Sequence, residues 1–341
     1  MPDPSAPDPF AVAARRLLEQ QVVWDDHAGF GPSPSLDLAC LGIWRRAGVD
    51  YLSINVGYDV MDWRDTVKSL AAFRRWILAS PDHVLVENVA QVRQAKRDGR
   101  LAVTFDLEGM NALDGQLDMV ATYHALGVRQ MLFAYNRDNL AGGGCHDGDA
   151  GLTAFGRQVI AEMNRVGMTV DVSHCAYRTS MEAMELSADP VIFSHSNPRA
   201  LCDHERNLRD EQARACAATG GVVGVVGIGI FLGDNDVTTA TLANHVDYLL
   251  DLIGAEHVGI GLDYPCPEAG GDDLAALTAG QEAYWPKRQY DYPRVDCVHP
   301  RQILELAEEL LRRQHGEATV AGVLGGNFLR VAERVWKPAQ R

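Results

Sequence analysis

The sequence predicts an α/β protein built as a (β/α)8 barrel of the TIM barrel type, and three observations support this prediction. Short apolar segments typical of β-strands recur eight times along the 341 residues. Segments with helical periodicity lie between them, and several end in glycine, which often terminates a helix. Most strand segments are almost continuously apolar, as expected for parallel strands that are covered on both faces. Eight strand–helix units are the signature of a closed barrel.

Each element can be placed from its local pattern. The predicted strands span residues 22–27, 49–57, 101–109, 128–136, 168–174, 189–196, 220–229 and 257–264. The clearest helical patterns between the strands cover residues 35–48, 65–80, 116–127, 156–167 and 210–220. Two further helical segments finish the chain, at residues 300–314 and 326–337.

A doubly wound open sheet is the competing architecture, but no GxGxxG motif follows the first strand. The spaced glycines of residues 220–229 come without a P-loop lysine and therefore predict a tightly packed strand. Residues 265–300 break the strand–helix pattern and are predicted to form a long excursion. We expect residues 1–20 to comprise a short disordered leader (MPDPSAPDPF) and a first helical segment, and residues 21–341 to form one barrel domain.

Composition narrows the classes of function. The formal net charge of −15 argues against nucleic-acid binding, because phosphate contacts need basic patches. No apolar stretch approaches the roughly 18 residues of a membrane helix, and the start lacks the basic and apolar regions of a signal peptide. The seven cysteines include no CxxC pair, which is typical of reduced thiols rather than of a disulfide framework. We therefore expect a cytoplasmic protein with a small-molecule substrate, without membrane or nucleic-acid partners, and with a homodimer left open.

Polar residues stand at the carboxyl ends of predicted strands, where barrels of this kind place their catalytic groups. They are His27, Glu108, Tyr135, His174, His195 and Asp263. A single histidine at such a position is usually a hydrogen-bonded part of the fold, but three histidines with two carboxylates on one rim favour a metal site. Imidazole and carboxylate are ligands of zinc or a similar divalent ion, which activates water for hydrolysis. The rival hydrolytic motifs GxSxG and HExxH are absent from the sequence.

Several longer motifs point to one family. They are DLEGMNAL, GLTAFGRQVIAEMNRVGMTVDVSH, SHSNPRALCDHERNLRD, HVGIGLDY and LGGNFLRV. Together they resemble the renal (membrane) dipeptidase family of zinc-dependent amidohydrolase barrels, and the resemblance extends from about residue 22 to residue 335. It implies a metallopeptidase that cleaves the amide bond of dipeptides, or of similar small N-acyl amino acids, with a metal-activated water.

The resemblance also implies a set of metal ligands. Glu108 would bridge two ions, and His174 and His195 would complete the site of the more buried ion. His27 would bind the second ion. Asp263 would lie beside the bridging water as proton acceptor and donor, and it is included among the metal-site residues.

Two further residues would contact the substrate. Arg206, in the stretch HERN, matches the arginine that holds the terminal carboxylate of the substrate. An arginine that flanks a helix more often forms a surface salt bridge, so only the motif identifies Arg206. Tyr135 aligns with a histidine that the animal dipeptidases place near the scissile carbonyl, and its phenol can donate a hydrogen bond to a developing oxyanion.

The chain departs from the family pattern after the first strand. There the family has His-x-Asp with both residues as ligands, whereas this chain reads His27-Ala28-Gly29. We therefore expect one firm zinc site and a second that is weak or absent. Side-chain alternation puts Asp26 on the opposite face of the strand, and Asp25 on the side of His27 but lower in the barrel. Restoring the carboxylate by Gly29→Asp is expected to raise the metal content if the pocket has room.

Three interpretations of the function remain open at this point. The first is a hydrolase that works with one tightly bound ion. The second is a binuclear dipeptidase in which water, Cys145 or His146 fills the vacant ligand position. The third is a barrel with lost or altered activity that keeps a metal and binds a small carboxylate ligand. Retention of Asp263 and Arg206 argues against the third, because a scaffold has no evident need for a proton carrier.

Overall fold

Strands and helices alternate along the chain in a computed structural model that describes residues 8–266, 278 and 280–337. The strands in this part of the chain are β1 (Trp24–Ala28), β2 (Tyr51–Tyr58), β3 (His83–Leu85), β4 (Leu101–Glu108), β5 (Val128–Leu132), β6 (Thr169–Asp171), β7 (Val191–Ile192), β8 (Val223–Val225) and β9 (Val258–Ile260). Eight of them coincide with the predicted strands. The additional strand, β3, pairs in parallel with the first residues of β4.

The strands form a closed parallel barrel. β1, β2, β4, β5, β6 and β7 pair in that order. A bridge between Phe193 and Val223 continues the ring to β8, which pairs with β9. The ring closes where the backbone N–H of Asp263 donates to the carbonyl oxygen of His27, with 3.0 Å between nitrogen and oxygen. The predicted (β/α)8 barrel is therefore confirmed.

Helices surround the barrel. They are α1 (Pro9–Gln20), α2 (Gly42–Arg46), α3 (Trp63–Ala79), α4 (Val89–Arg97), α5 (Met119–Ala125), α6 (Ala154–Val166), α7 (Tyr177–Leu186), α8 (Asp210–Ala218), α9 (Gly229–Leu232), α10 (Thr239–Ile253), α11 (Lys287–Tyr290), α12 (Gln302–Arg312), α13 (Glu317–Ala321) and α14 (Asn327–Val335). Local chemistry sets the ends of α6, since the Thr153 side chain accepts a hydrogen bond from the Gly156 N–H and Gly167 adopts a φ of 83°. Among the described residues, no helix combines the length and apolar character that a membrane crossing requires.

The N-terminal segment and the excursion are described only in part. Pro9 and Phe10, predicted to be leader, already belong to α1, whose first turn is capped by the Asp8 side chain. Proline is favourable there because the N–H that it lacks would be unpaired in any case. The rest of the predicted leader, residues 1–7, lies outside the described residues, as do residues 267–277 and 279 of the excursion.

The C-terminal helix fills the amino end of the barrel. Phe328 of α14 packs so tightly against β9 that a Cβ atom on Gly259 would lie 2.5 Å from its ring. Trp24 and Tyr51 stack at the same end, with ring centroids 3.4 Å apart, and are buried in one cluster with Phe328. Side chains therefore close the amino end of the barrel, and the carboxyl end is left for chemistry.

Two of the seven cysteines are paired, contrary to the expected set of reduced thiols. Cys40 and Cys266 form a disulfide, with their Cα atoms 5.9 Å apart. The bond ties the turn at Leu38–Leu41 to the loop that follows β9. Because disulfides persist mainly in oxidising compartments, the cysteines no longer argue for the cytoplasm.

Candidate metal centre

The carboxyl rim of the barrel brings the five predicted metal-site residues together. His27 lies in β1, Glu108 ends β4, and the other three lie just after β6, β7 and β9. Their donor atoms form two groups, Glu108 with His174 and His195, and His27 with His195 and Asp263. Within each group all ligand atoms lie within 4.8 Å of one another. Parallel strands that end at one rim thus place both groups side by side.

The first group has the spacing of a metal site. Glu108 Oε1 lies 3.3 Å from His174 Nε2 and 3.3 Å from His195 Nε2. The two imidazole nitrogens lie 3.0 Å apart. Ligand atoms held about 2.1 Å from a tetrahedral zinc ion would be separated by roughly 3.4 Å. The three atoms therefore need only small adjustments to bind one ion.

Hydrogen bonds behind the two imidazoles determine which ring nitrogens carry protons. His174 Nδ1 lies 2.6 Å from Asn136 Oδ1, an amide oxygen that can only accept. His195 Nδ1 lies 2.6 Å from Ser194 Oγ, whose own proton is donated to Asp171 Oδ2. Each imidazole therefore donates from Nδ1, and the two Nε2 atoms face each other as lone pairs. Metal-binding histidines are oriented in this way by the partner of the other ring nitrogen.

His27 lies among carboxylates. Its Nδ1 is 3.3 Å from Asp106 Oδ2, which accepts a hydrogen bond from Ser53 Oγ. Its Nε2 is 3.5 Å from Glu108 Oε1 and 3.4 Å from Asp263 Oδ1. Both His27 Nε2 and Glu108 Oε1 are buried without a hydrogen-bond partner, whereas buried polar atoms ordinarily have one. A cation at this place would satisfy both atoms.

Burial and neighbouring charges shift the pKa values of these groups. Burial raises the pKa of Glu108 to about 8, and nearby carboxylates add to the shift. Burial alone would lower the pKa of His27, but the carboxylates of Asp106 and Glu108 outweigh it and hold that pKa well above its usual value. Burial holds the pKa values of His174 and His195 well below their usual range. Because metal ligands bind in their unprotonated forms, a dication at this centre would compete with protons for His27 and Glu108.

Backbone strain is concentrated at the same rim. Asn136, His174 and Asp263 adopt left-handed conformations, with φ values of 62°, 61° and 57°. Residues with a side chain rarely adopt this conformation, and they keep it where the surroundings impose it, commonly at functional sites. Two of the three strained residues, His174 and Asp263, are thus candidate metal ligands.

The Asp263 carboxylate occupies the space beside Gly29. A Cβ atom on Gly29 would overlap Asp263 Oδ1 and lie 3.0 Å from Asp263 Cγ. Gly29→Asp therefore requires the Asp263 side chain to move, and the effect of this change on the metal content stays a prediction. The Asp263 carboxylate, which follows β9, thus lies at the position where β1 has no carboxylate.

Asp25 and Asp26 are engaged elsewhere. Asp25, expected on the side of His27, accepts hydrogen bonds from the indole of Trp44 in α2 and from the Leu262 N–H, both at 2.8 Å. Asp26 accepts from the Trp24 indole at 2.7 Å. The pairing of β1 with β2 shifts register after Asp25, so the regular alternation assumed from the sequence does not hold there. Neither carboxylate belongs to a candidate ligand group.

Arg206 is buried beside the centre, with 4% of its surface exposed. Its Nη1 donates to Ser196 Oγ at 2.9 Å and its Nη2 to the His195 carbonyl at 2.7 Å. Its Nε is buried without a partner. Among the described residues Arg206 forms no salt bridge, although buried arginines are usually paired with an acid. The guanidinium therefore has N–H groups to offer to an anionic ligand.

Tyr135 lies against one of the candidate ligands. Its ring stacks on His174, with centroids 4.3 Å apart and an angle of 27° between the planes. Its N–H donates to the buried Asp59 carboxylate at 3.0 Å. Burial raises the pKa of Tyr135 well above its usual value, so the hydroxyl keeps its proton at neutral pH. The phenol lines the cavity above the metal centre and can donate a hydrogen bond there.

Cys145 and His146 have other partners than a metal. Cys145 Sγ donates to Asn136 Oδ1 at 3.5 Å. His146 Nδ1 lies 2.9 Å from Glu205 Oε2, and its Nε2 lies 2.9 Å from the Tyr290 hydroxyl. In the described part of the chain neither residue joins a candidate ligand group. Neither residue therefore occupies the ligand position that is vacant at Gly29.

The residues that hydrogen-bond to the candidate ligands and orient them were not predicted from the sequence. Asn55 Nδ2 donates to Glu108 Oε2 at 2.7 Å, which leaves Oε1 to face His174 and His195. Asn136, Asp171 and Ser194 orient the two imidazoles described above, and Asp106 supports His27. The sequence signal that could have identified them is a polar residue within or directly after an apolar strand. Asp106 in LAVTFDLE is an example.

Comparisons with known proteins agree on one family. The sequence model described as membrane dipeptidase (peptidase family M19) matches residues 37–278. An uncharacterized dipeptidase of Schizosaccharomyces pombe is 31% identical over 287 residues, which are 81% of this chain and 63% of that protein. Dipeptidase 3 of Rattus norvegicus is 31% identical over 280 residues, covering 80% and 52%. The chain thus spans between half and two thirds of the length of these curated relatives.

A solved structure extends the likeness to the whole fold. The crystal structure of an amidohydrolase from Pseudomonas aeruginosa superimposes with a TM-score of 0.84 and 29% sequence identity. The superposition covers 95% of this chain and 99% of that one.

Proposed function

Because the chain belongs to the membrane dipeptidase family, we propose that it is a zinc-dependent hydrolase that cleaves the amide bond of dipeptides or of similar small N-acyl amino acids. One observation carries the proposal. His174 and His195 point unprotonated Nε2 atoms at each other and at an unpartnered oxygen of Glu108. A dication in this buried space would satisfy all three donor atoms at once.

Glu108, His174 and His195 would hold the firmer ion. A zinc ion there would supply Lewis acidity and make water acidic enough to attack an amide near neutral pH. Since Asn55 holds Oε2 of Glu108, Oε1 faces His174 and His195 and also lies 3.5 Å from His27 Nε2. Glu108 would therefore contribute to both metal sites.

His27 and Asp263, together with the shared Oε1 of Glu108, would hold the second ion, since His27 Nε2 lies 3.5 Å from that oxygen and 3.4 Å from Asp263 Oδ1. Asp263 supplies the carboxylate that the first strand lacks, since its side chain fills the space beside Gly29. We propose that this site is weaker than the first. The Asp263 side chain is 19% exposed, whereas the ligands of the first site are almost fully buried.

Three residues would act on the substrate. Asp263 Oδ2 accepts a proton from the attacking water and returns it to the leaving amine, as a general base and then a general acid. The Tyr135 hydroxyl donates a hydrogen bond to the carbonyl oxygen as negative charge develops on it. The buried guanidinium of Arg206 pairs with the terminal carboxylate of the substrate.

The proposal is tested by metal analysis of the purified protein together with hydrolysis of a panel of free dipeptides. We expect at least one tightly bound zinc per chain and hydrolysis that chelators abolish. His195→Ala should lose both the metal and the activity. The matched control is His315→Ala, because His315 pairs with Asp247 away from the centre. Full activity in metal-free His195→Ala protein would refute the proposal.

A cytoplasmic location and a homodimer stay proposals that rest on the sequence alone. A barrel that binds a carboxylate ligand without catalysis is less favoured, because the relatives of this chain are named dipeptidases. Asp263, partly exposed at the centre, would also have no task in such a protein.

A further inference from the structure

A cavity of about 150 Å³ opens directly above the metal centre. Its floor is formed by Glu108, His174 and Asp263, and its walls are almost entirely aromatic and aliphatic. The aromatic walls are Phe30, Tyr58, Tyr135, Phe231, Trp285 and Tyr290, and we call the enclosed space the aromatic chamber. A cavity of roughly this size and apolar character accommodates a benzene ring in another protein. The chamber is therefore large enough for an aromatic side chain.

Three of the rings form a corner beside the candidate ligands. Tyr58 and Tyr135 meet edge to face with centroids 5.4 Å apart, and Trp285 lies 5.8 Å from Tyr135 and 6.3 Å from Tyr58. Tyr135 in turn stacks on His174. A group that enters this corner is thus separated from His174 only by the Tyr135 ring. It lies next to the bond that would be cleaved.

The aromatic chamber is unfavourable for a charged side chain of the substrate. No lysine or arginine is among its described lining residues, and its only carboxylates belong to the metal centre. A charged side chain would lose its hydration there without gaining a partner, whereas an apolar side chain would gain by leaving water. Arg206, the nearby buried cation, lines a separate polar cavity with Ser196 and Glu205.

The chamber is held in shape by contacts of the excursion. The Tyr290 hydroxyl donates to His146 Nε2, and His146 Nδ1 donates to Glu205. Arg288 pairs with the same Glu205 at 2.7 Å and donates to the His146 carbonyl at 2.9 Å. Tyr284 also accepts a hydrogen bond from Asn136, the residue that orients His174. These bonds fix Trp285 and Tyr290 before a ligand arrives, which lowers the entropic cost of binding.

We propose that the aromatic chamber selects dipeptides with a bulky apolar or aromatic side chain, and that Trp285 is a specificity-determining residue. The inference rests on the proposed dipeptidase function and names its substrate class. Arg206 holds the terminal carboxylate in the polar cavity, and one side chain of the dipeptide enters the chamber.

The experiment measures kcat/KM for two series of free dipeptides, in which Ala, Leu, Phe, Asp or Lys occupies one position and Ala the other. At one of the two positions we expect Leu and Phe to exceed Asp and Lys by about tenfold or more, as contacts of one pocket commonly provide. Trp285→Ala should lower kcat/KM for the Leu and Phe substrates about tenfold, mainly through KM, and change Ala-Ala much less. Trp285→Phe should restore most of the preference.

Tyr292→Ala is the matched control, because Tyr292 lies in the same segment but is exposed and does not line the chamber. It should leave the preference unchanged. Hydrolysis without an apolar preference at either position, or a preference that Trp285→Ala leaves intact, overturns the inference while the dipeptidase function stands. Failure of the metal-loaded protein to hydrolyse any of these dipeptides overturns both.

Discussion

The carboxylate of Asp263 fills the space that a side chain on Gly29 would need. The two residues come from opposite ends of the barrel sequence and meet where β9 closes onto β1. A carboxylate from the first strand and the Asp263 carboxylate at its present position exclude each other. We therefore expect the placement of Asp263 to depend on the absence of a side chain at position 29.

Gly29→Ala is expected to push Asp263 out of its position. Since a change in a ligand's support costs about 10–100-fold in metal affinity, binding of the second ion should weaken by at least tenfold while the first ion stays bound. Calorimetric titration of the metal-free protein measures both sites. Gly31→Ala is the control, because nothing lies within 4 Å of a Cβ atom there. Unchanged binding of two ions in Gly29→Ala would contradict this dependence.

Ser194→Ala should weaken the firmer metal site. The change removes the acceptor of the His195 Nδ1 proton and one of the donors to Asp171. Loss of such a supporting bond typically lowers metal affinity about 10–100-fold. Competition with a chelator measures the effect, and Ser187→Ala serves as control because Ser187 bonds to Asp189, away from the centre. Equal affinities in the two variants would show that Ser194 has no orienting role.

Arg206→Lys should discriminate between substrates. A lysine cannot reproduce the paired hydrogen bonds of a planar guanidinium, so kcat/KM for free-acid dipeptides should fall about tenfold further than for the corresponding amides. Comparison of the two substrate classes on one protein preparation serves as an internal control for folding. Losses of equal size would indicate that Arg206 only supports Ser196 and His195.

His146 should make stability depend on pH. Burial lowers its pKa to about 4, whereas the unfolded chain takes up the proton near pH 6.5. Its contribution to the free energy of unfolding is therefore complete above pH 6.5 and is lost as the pH falls towards 4. Between pH 7 and pH 5, the wild type should lose roughly 1–2 kcal/mol more than His146→Gln. Urea unfolding at both pH values measures the difference, and parallel losses would refute it.

The Cys40–Cys266 bond should stabilise the fold. It joins residues separated by 226 positions, and closing so long a loop restricts the unfolded chain strongly. The double change Cys40→Ser with Cys266→Ser should lower the free energy of unfolding by about 2–5 kcal/mol. Thiol titration of the unfolded wild type without reductant should count two thiols fewer than with reductant. An equal count under both conditions would show that the bond does not form in solution.

The sequence predicted the barrel well because each strand carries its own local signal. Residues 101–107, for example, are apolar except for Thr104 and Asp106, and Glu108 and Gly109 follow them. It also predicted the five residues that meet at the rim, since parallel strands must end at the same side. The roles of those residues remain predictions until metal binding is measured.

What the sequence could not predict depends on contacts between distant segments. The pairing of Cys40 with Cys266 has no local pattern, and neither has the overlap between Gly29 and Asp263. The hydrogen bond between Asp25 and Trp44 joins β1 to a distant helix, and alternation along one strand does not reveal the register shift that follows Asp25.

The hydrogen bond from Asp263 to His27 lies at the seam of the barrel, and this has a consequence for biosynthesis. A nascent chain that has emerged only as far as the residues just after β7 already contains Glu108, His174 and His195, the residues proposed to hold the first ion. The site proposed for the second ion is not complete until β9 docks against β1. Under the proposed metal assignment, the two ions would therefore load in sequence, and the second ion would report that the barrel has closed.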